Sequence, residues 1–113
     1  MLDELLSRVS RYTPRTLETD RHFPEAAVLL PVTRSAEPEL ILTLRASGLS
    51  THGGEVAFPG GRRDAEDPDL VFTALREAEE EIGLPPGLVE VIGPLSPLVS
   101  LHGIRVTPYV GLV

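Results

Sequence analysis

The sequence predicts one α/β domain. Three observations carry that expectation: short apolar runs of strand length alternate with polar loops, one long helical period carries stop signals at both ends, and a second amphipathic helical segment precedes them. With 113 residues and 42% hydrophobic content, the chain can bury one modest core but hardly two.

Leu2, Leu5, Leu6 and Val9 fall at helical spacing, with acids early and arginines late, as the helix dipole favours, so residues 2–11 read as a short helix. Residues 12–24 show no period and carry two prolines, which makes them a connector. Residues 26–33 and 40–45 are apolar strand-like runs on either side of the loop RSAEP, a hairpin with a longer turn. Val56 and Phe58 alternate as a brief strand before the Pro59-Gly60-Gly61 break, read as a sharp turn from strand to loop. Residues 68–82 form a helix with Asp67 as its cap, Pro68 in its first turn, Gly83 as its stop and Pro85 beyond. Strands are expected at 89–92, 98–101 and 104–113, punctuated by Gly93, Pro94, Pro97 and Gly103. The sequence stops at PYVGLV, inside an apolar run, so a domain truncated at its C-terminal end is expected, with further strands and a terminal helix beyond Val113.

Composition narrows the chemistry. No apolar stretch approaches the roughly 20 residues of a membrane span, and the start carries acids where a signal peptide carries bases, so a cytoplasmic protein is expected. The absence of cysteine removes disulfides and thiolate ligands, leaving oxygen or histidine for any metal, donors that suit Mg²⁺ or Mn²⁺. All basic residues are arginine, a pattern best explained by codon bias in a GC-rich genome. A net charge of −7 argues against long nucleic acids, whose binding needs a basic surface. A small anionic substrate then needs a metal or a local arginine cluster to overcome the acidic field.

On the 68–82 helix, Val71, Leu75, Ala78 and Ile82 form the expected buried stripe. Glu77, Glu80 and Glu81 gather away from it at three- and four-residue spacing, while Glu79 points elsewhere. An acidic run on a helix is ordinarily a solvated face. Here like charges cost roughly 0.2–0.5 kcal/mol per pair, and they stand in the last turns, where the macrodipole also disfavours anions. A divalent cation reverses both penalties. Arg76, four residues before Glu80, is read either as a surface ion pair or as the group that orients a ligand. His52 and His102 are read as loop or surface residues.

The run REAEEEIGL resembles the end of the Nudix box, REUXEEXGU with U aliphatic: Arg76, Glu77, Glu80, Glu81, Gly83 and Leu84 match, and Ala78 stands where a larger aliphatic residue is common. In the front half Gly61 lies one residue too far from Arg76, and Asp67 or Asp64 stands in for the box's earlier glutamate. Upstream, LILTLRASGLSTHGGEVAFPGG resembles the signature of the coenzyme A diphosphatases within that family, through Ile41, Leu42, Thr43, Arg45, Ala46, Gly54, Phe58, Pro59, Gly60 and Gly61. Ser50 departs from it, standing where the pattern has arginine.

The resemblance implies a Nudix α/β/α sandwich, a mixed sheet between helices with the box, about residues 61–84, as loop, helix and loop. It implies hydrolysis of the diphosphate of coenzyme A to 3′,5′-ADP and 4′-phosphopantetheine, with Glu77, Glu80 and Glu81 holding Mg²⁺ or Mn²⁺, one of them also serving as base, Arg76 orienting them, and Arg45, Gly60 and Gly61 at the substrate. Hydrolysis of another nucleoside diphosphate such as ADP-ribose, favoured by Ser50, and a non-catalytic binding module are the alternatives. The module reading ranks last, because all three box glutamates are present.

Overall fold

The computed structural model describes residues 2–11, 23–44 and 56–113. Its elements, in chain order, are α1 (Leu2–Arg11), β1 (Glu25–Val32), β2 (Thr43–Leu44), β3 (Val56–Ala57), β4 (Gly60–Arg62), α2 (Leu70–Ile82), a 3-10 turn (Pro86–Leu88), β5 (Glu90–Pro94), β6 (Leu98–Val99) and β7 (Arg105–Leu112). The main sheet runs β4-β1-β7-β5, with β6 also paired to β7. It is mixed: β1 and β7 are parallel over their whole length, and every other pair is antiparallel.

Strand alternation sends the two faces of β1 to different helices. Ala27 and Leu29 pack with Ala74 and Ala78 of α2, while Leu30 and Val32 meet Val9 of α1 and Val110 of β7. The helices therefore cover opposite faces of the sheet, the layered arrangement expected. Leu29 is the largest fully buried side chain, so its truncation to alanine would cost about 2–5 kcal/mol.

Several boundaries differ from the sequence reading, each for a local reason. The hairpin after β1 closes as expected, since Ile41 donates to the Pro31 carbonyl and Thr33 to that of Glu39. The returning run, however, leaves β1 after a single bridge at Leu40, and Thr43–Leu44 pairs instead with Val56–Ala57 in a separate two-stranded sheet. Pro59-Gly60-Gly61 is no strand-to-loop turn. Gly60 and Gly61 lie in β4, opposite Val28 and Ala27, because a strand without side chains can press close to β1. Leu101 falls in the turn before β7, outside β6.

Helix α2 starts at Leu70, with Asp69 as its cap and not Asp67: the Asp69 carboxylate accepts the Phe72 N–H at 2.8 Å. Pro68 consequently precedes the helix. Gly83 ends it in the left-handed conformation (φ 67°), which glycine adopts without a Cβ penalty. The buried stripe is also rotated from the expected one: Thr73, Ala74 and Ala78 are buried, with Leu70 and Leu75 packed beside them, whereas Val71 and Ile82 are only half-buried. A threonine inside the stripe hides the true face from a pattern built on apolar residues. Among the described residues, no helix is long and apolar enough to cross a membrane.

Candidate active site

Because β4 is the edge strand and α2 packs along β1 and β4, the last turns of α2 lie against the two glycines. A Cβ at Gly61 would stand 2.5–2.8 Å from the carboxyl carbon and both oxygens of Glu77. The Gly60 N–H donates to Glu81 Oε2 at 3.3 Å. A Cβ at Gly61 would displace the Glu77 carboxylate and one at Gly60 would meet β1, which gives the Gly60-Gly61 pair a packing reason that a turn would not.

Arg76 ties this patch together. Its Nε and Nη2 form a fork on Asp67, at 3.1 and 2.9 Å, while Nη1 donates to Glu77 at 2.9 Å and to Glu80 at 3.4 Å. Nη2 also donates to the Arg62 carbonyl at 3.3 Å and lies 3.5 Å from the Asp64 carboxylate. The pairing expected between Arg76 and Glu80 is therefore present but is the weakest of the guanidinium's carboxylate hydrogen bonds. Asp67 is its main partner.

Asp67, expected both as the helix cap and as a stand-in for the box's earlier acid, does not cap α2 and is the buried centre of the front half of the box. Its side chain is 2% exposed, and its carboxylate also accepts from the Thr73 hydroxyl at 2.8 Å and the Asp64 N–H at 2.9 Å. The Arg76 hydrogen bonds hold its pKa well below the usual carboxylate range, helped by those two donors and opposed by desolvation. In return, Asp67 holds the Arg76 pKa above its ordinary value. Asp67 lies six residues after Gly61, the place the pattern gives its acid, so the additional residue falls between Asp67 and Arg76. Asp64, largely exposed, is the poorer stand-in.

The three helix glutamates differ in setting. Glu77 is 17% exposed and committed through Oε1 to Arg76, Glu80 is 58% exposed, and Glu81 reaches back to β4. They share one side of α2, yet among the described residues no three His, Asp or Glu side chains stand close enough together to hold a metal ion. The donor chemistry nonetheless suits a hard cation: all-oxygen, anionic, and with glycine backbone on the facing strand. Arg45, Ser50, Gly54 and His52 lie outside the described residues. The Thr73 role escapes the sequence, and Asp67 is offered there only as one of two stand-ins for the box's earlier acid. The one signal for Asp67 was its spacing from Gly61.

Comparisons with known proteins bear on the fold and the family. The family described as NUDIX domain matches residues 22–110. An uncharacterized Nudix hydrolase NudL of Citrobacter koseri is 48% identical over 112 residues, 99% of this chain and 58% of that relative. The chain thus spans somewhat over half the length of the curated relatives it matches. Among solved structures, the Nudix hydrolase RenU from M. smegmatis superposes with a TM-score of 0.65 at 26% identity, over 79% of this chain and 60% of that one. The NUDIX domain of Shewanella oneidensis NrtR, complexed with ADP ribose, gives 0.63 at 19% identity, over 95% of this chain and 69% of that one.

Proposed function

This chain belongs to the Nudix family, and we propose that it is the core of a metal-dependent hydrolase that splits the diphosphate of coenzyme A or its derivatives into 3′,5′-ADP and 4′-phosphopantetheine. The observation that carries this reading is the meeting of Glu77 with Gly61 and of Glu81 with the Gly60 N–H, since it joins the two halves of the signature into one anionic patch. Glu77, Glu80 and Glu81 would hold Mg²⁺ or Mn²⁺. When bound, the cation would neutralise the diphosphate and lower the pKa of the attacking water.

The chain's own residues supply position and proton transfer. Arg76, anchored on Asp67, fixes the Glu77 carboxylate and restrains Glu80. Gly60 and Gly61 let the strand lie against β1 and the Glu77 carboxylate, and are assigned to the substrate side of the site. One of the three glutamates takes the proton of the attacking water, and Arg45, near the start of the upstream motif, is assigned to the substrate phosphates.

Ser50 favours a second reading, hydrolysis of another nucleoside diphosphate such as ADP-ribose, because it removes the cation that the coenzyme A signature places there. Parallel assays of coenzyme A and ADP-ribose with Mg²⁺ and with Mn²⁺ separate the two. Coenzyme A should have the higher kcat/KM, and equal or better turnover of ADP-ribose would displace it as the preferred substrate.

A further inference from the structure

Arg62 stands immediately after the glycine that touches Glu77, and its backbone is fixed on both sides, by pairing with Ala26 and by the Arg76 hydrogen bond to its carbonyl. Its side chain is exposed and makes no ion pair among the described residues. The acids nearby are already engaged: Glu25 with Arg63 at 3.1 Å, and Asp64 with Arg76 at 3.5 Å. In a chain of net charge −7, a guanidinium without a carboxylate, on an anchored backbone beside an anionic patch, is a cation held ready for a ligand.

The geometry also says which part of a ligand it faces. Gly61 directs its missing side chain at Glu77, so strand alternation turns Arg62 to the other face of β4. There it lines an open hollow of about 330 Å³ with Pro24, Glu25, Arg63, Asp64 and Ala65. Since β4 is an edge strand, a substrate lying across the Gly60-Gly61 edge would reach the carboxylate patch on one side and this hollow on the other. The cation is therefore aimed away from the bond being broken.

We propose that Arg62 binds a second phosphate of the substrate, remote from the scissile diphosphate. Resting on the coenzyme A reading above, this is the 3′-phosphate, the anionic group that ADP-ribose lacks. A guanidinium suits a phosphate monoester because its planar fork meets two oxygens at once. Arg62 then serves as a specificity residue, and partly offsets the arginine missing at Ser50.

The test compares coenzyme A with dephospho-coenzyme A, identical but for the 3′-phosphate, in full-length wild-type protein and in Arg62→Ala and Arg62→Lys. Wild type should favour coenzyme A in kcat/KM on the order of ten-fold, mostly through KM. Arg62→Ala should bring that ratio towards one, and Arg62→Lys should recover part of it. An unchanged ratio in Arg62→Ala, or no preference in wild type, overturns the proposal while leaving the hydrolase reading intact. Failure of the wild type to cleave either substrate while cleaving ADP-ribose removes the coenzyme A reading itself, and this assignment with it.

Discussion

Two clusters of carboxylates share Arg76, and they live in different worlds. Asp67 is 2% exposed and receives hydrogen bonds from Arg76, the Thr73 hydroxyl and the Asp64 N–H. Glu80, on the same guanidinium, is 58% exposed and held at 3.4 Å. A buried anion that accepts four hydrogen bonds from its own chain is structural, since little of it remains to reach a ligand. An anion at a helix C-terminus with little compensation is unfavourable alone and becomes favourable once a cation arrives. On the proposed function, the front of the box builds the site and the back half does its chemistry.

The sharpest way to break this division is Glu81→Gln. The exchange keeps size and hydrogen-bonding oxygen but removes the charge, so metal-dependent turnover should fall on the order of 10²-fold or more, with little change in Tm. Unchanged turnover in a steady-state assay would remove Glu81 from the proposed ligand set.

Asp67→Asn should give the complementary result, a large structural loss with a smaller direct catalytic one. Arg76 would lose its charged anchor, Tm should fall by roughly 5 °C or more, and turnover should drop about 10–100-fold as Glu77 and Glu80 lose their orientation. The pH dependence follows from the sign of the shift. The folded-state pKa of Asp67 lies below the unfolded value of about 3.9, so its stabilisation is fully present above that value. It is lost as pH falls through the lower folded value. Acid titrations of stability should therefore show wild type losing more than Asp67→Asn below about pH 4.

The same contrast explains what could be read from the sequence. The back half was legible because its logic is periodic: Glu77, Glu80 and Glu81 are placed by helical spacing, and Gly83 by its stop signal. The layered α/β fold is legible through the apolar runs of strand length, β1 among them, and the amphipathic α1. Asp67 is wrong as a cap, and open as one of two acids of the box, because its partners, Thr73 and Arg76, are met only after the chain has turned from loop into helix, and Asp69 is an equally good cap nearer the true start. The Gly60-Gly61 strand was read as a turn because local rules score glycine as a breaker. The neighbour that a Cβ there would displace, Glu77, is sixteen residues from Gly61.

That neighbour gives the finest test of the division, because adjacent glycines face opposite kinds of contact. A Cβ at Gly60 would meet the backbone of β1, at the Ala27 carbonyl and the Val28 Cα, which cannot move without disturbing the central strand. Gly60→Ala should therefore act on stability, costing about 1–3 kcal/mol in denaturant unfolding. At Gly61 the Cβ would meet only the end of the Glu77 side chain, 2.5–2.8 Å away, which can swing aside. Gly61→Ala should fold nearly as well as wild type and lose about ten-fold in turnover, since a misplaced catalytic group costs rate even where it costs no stability. If Gly61→Ala instead unfolds the protein while its remaining activity per folded molecule stays at the wild-type level, then Glu77 belongs with Asp67 among the structural carboxylates. The line between building the site and using it would then run between Glu77 and Glu80, along the helix itself.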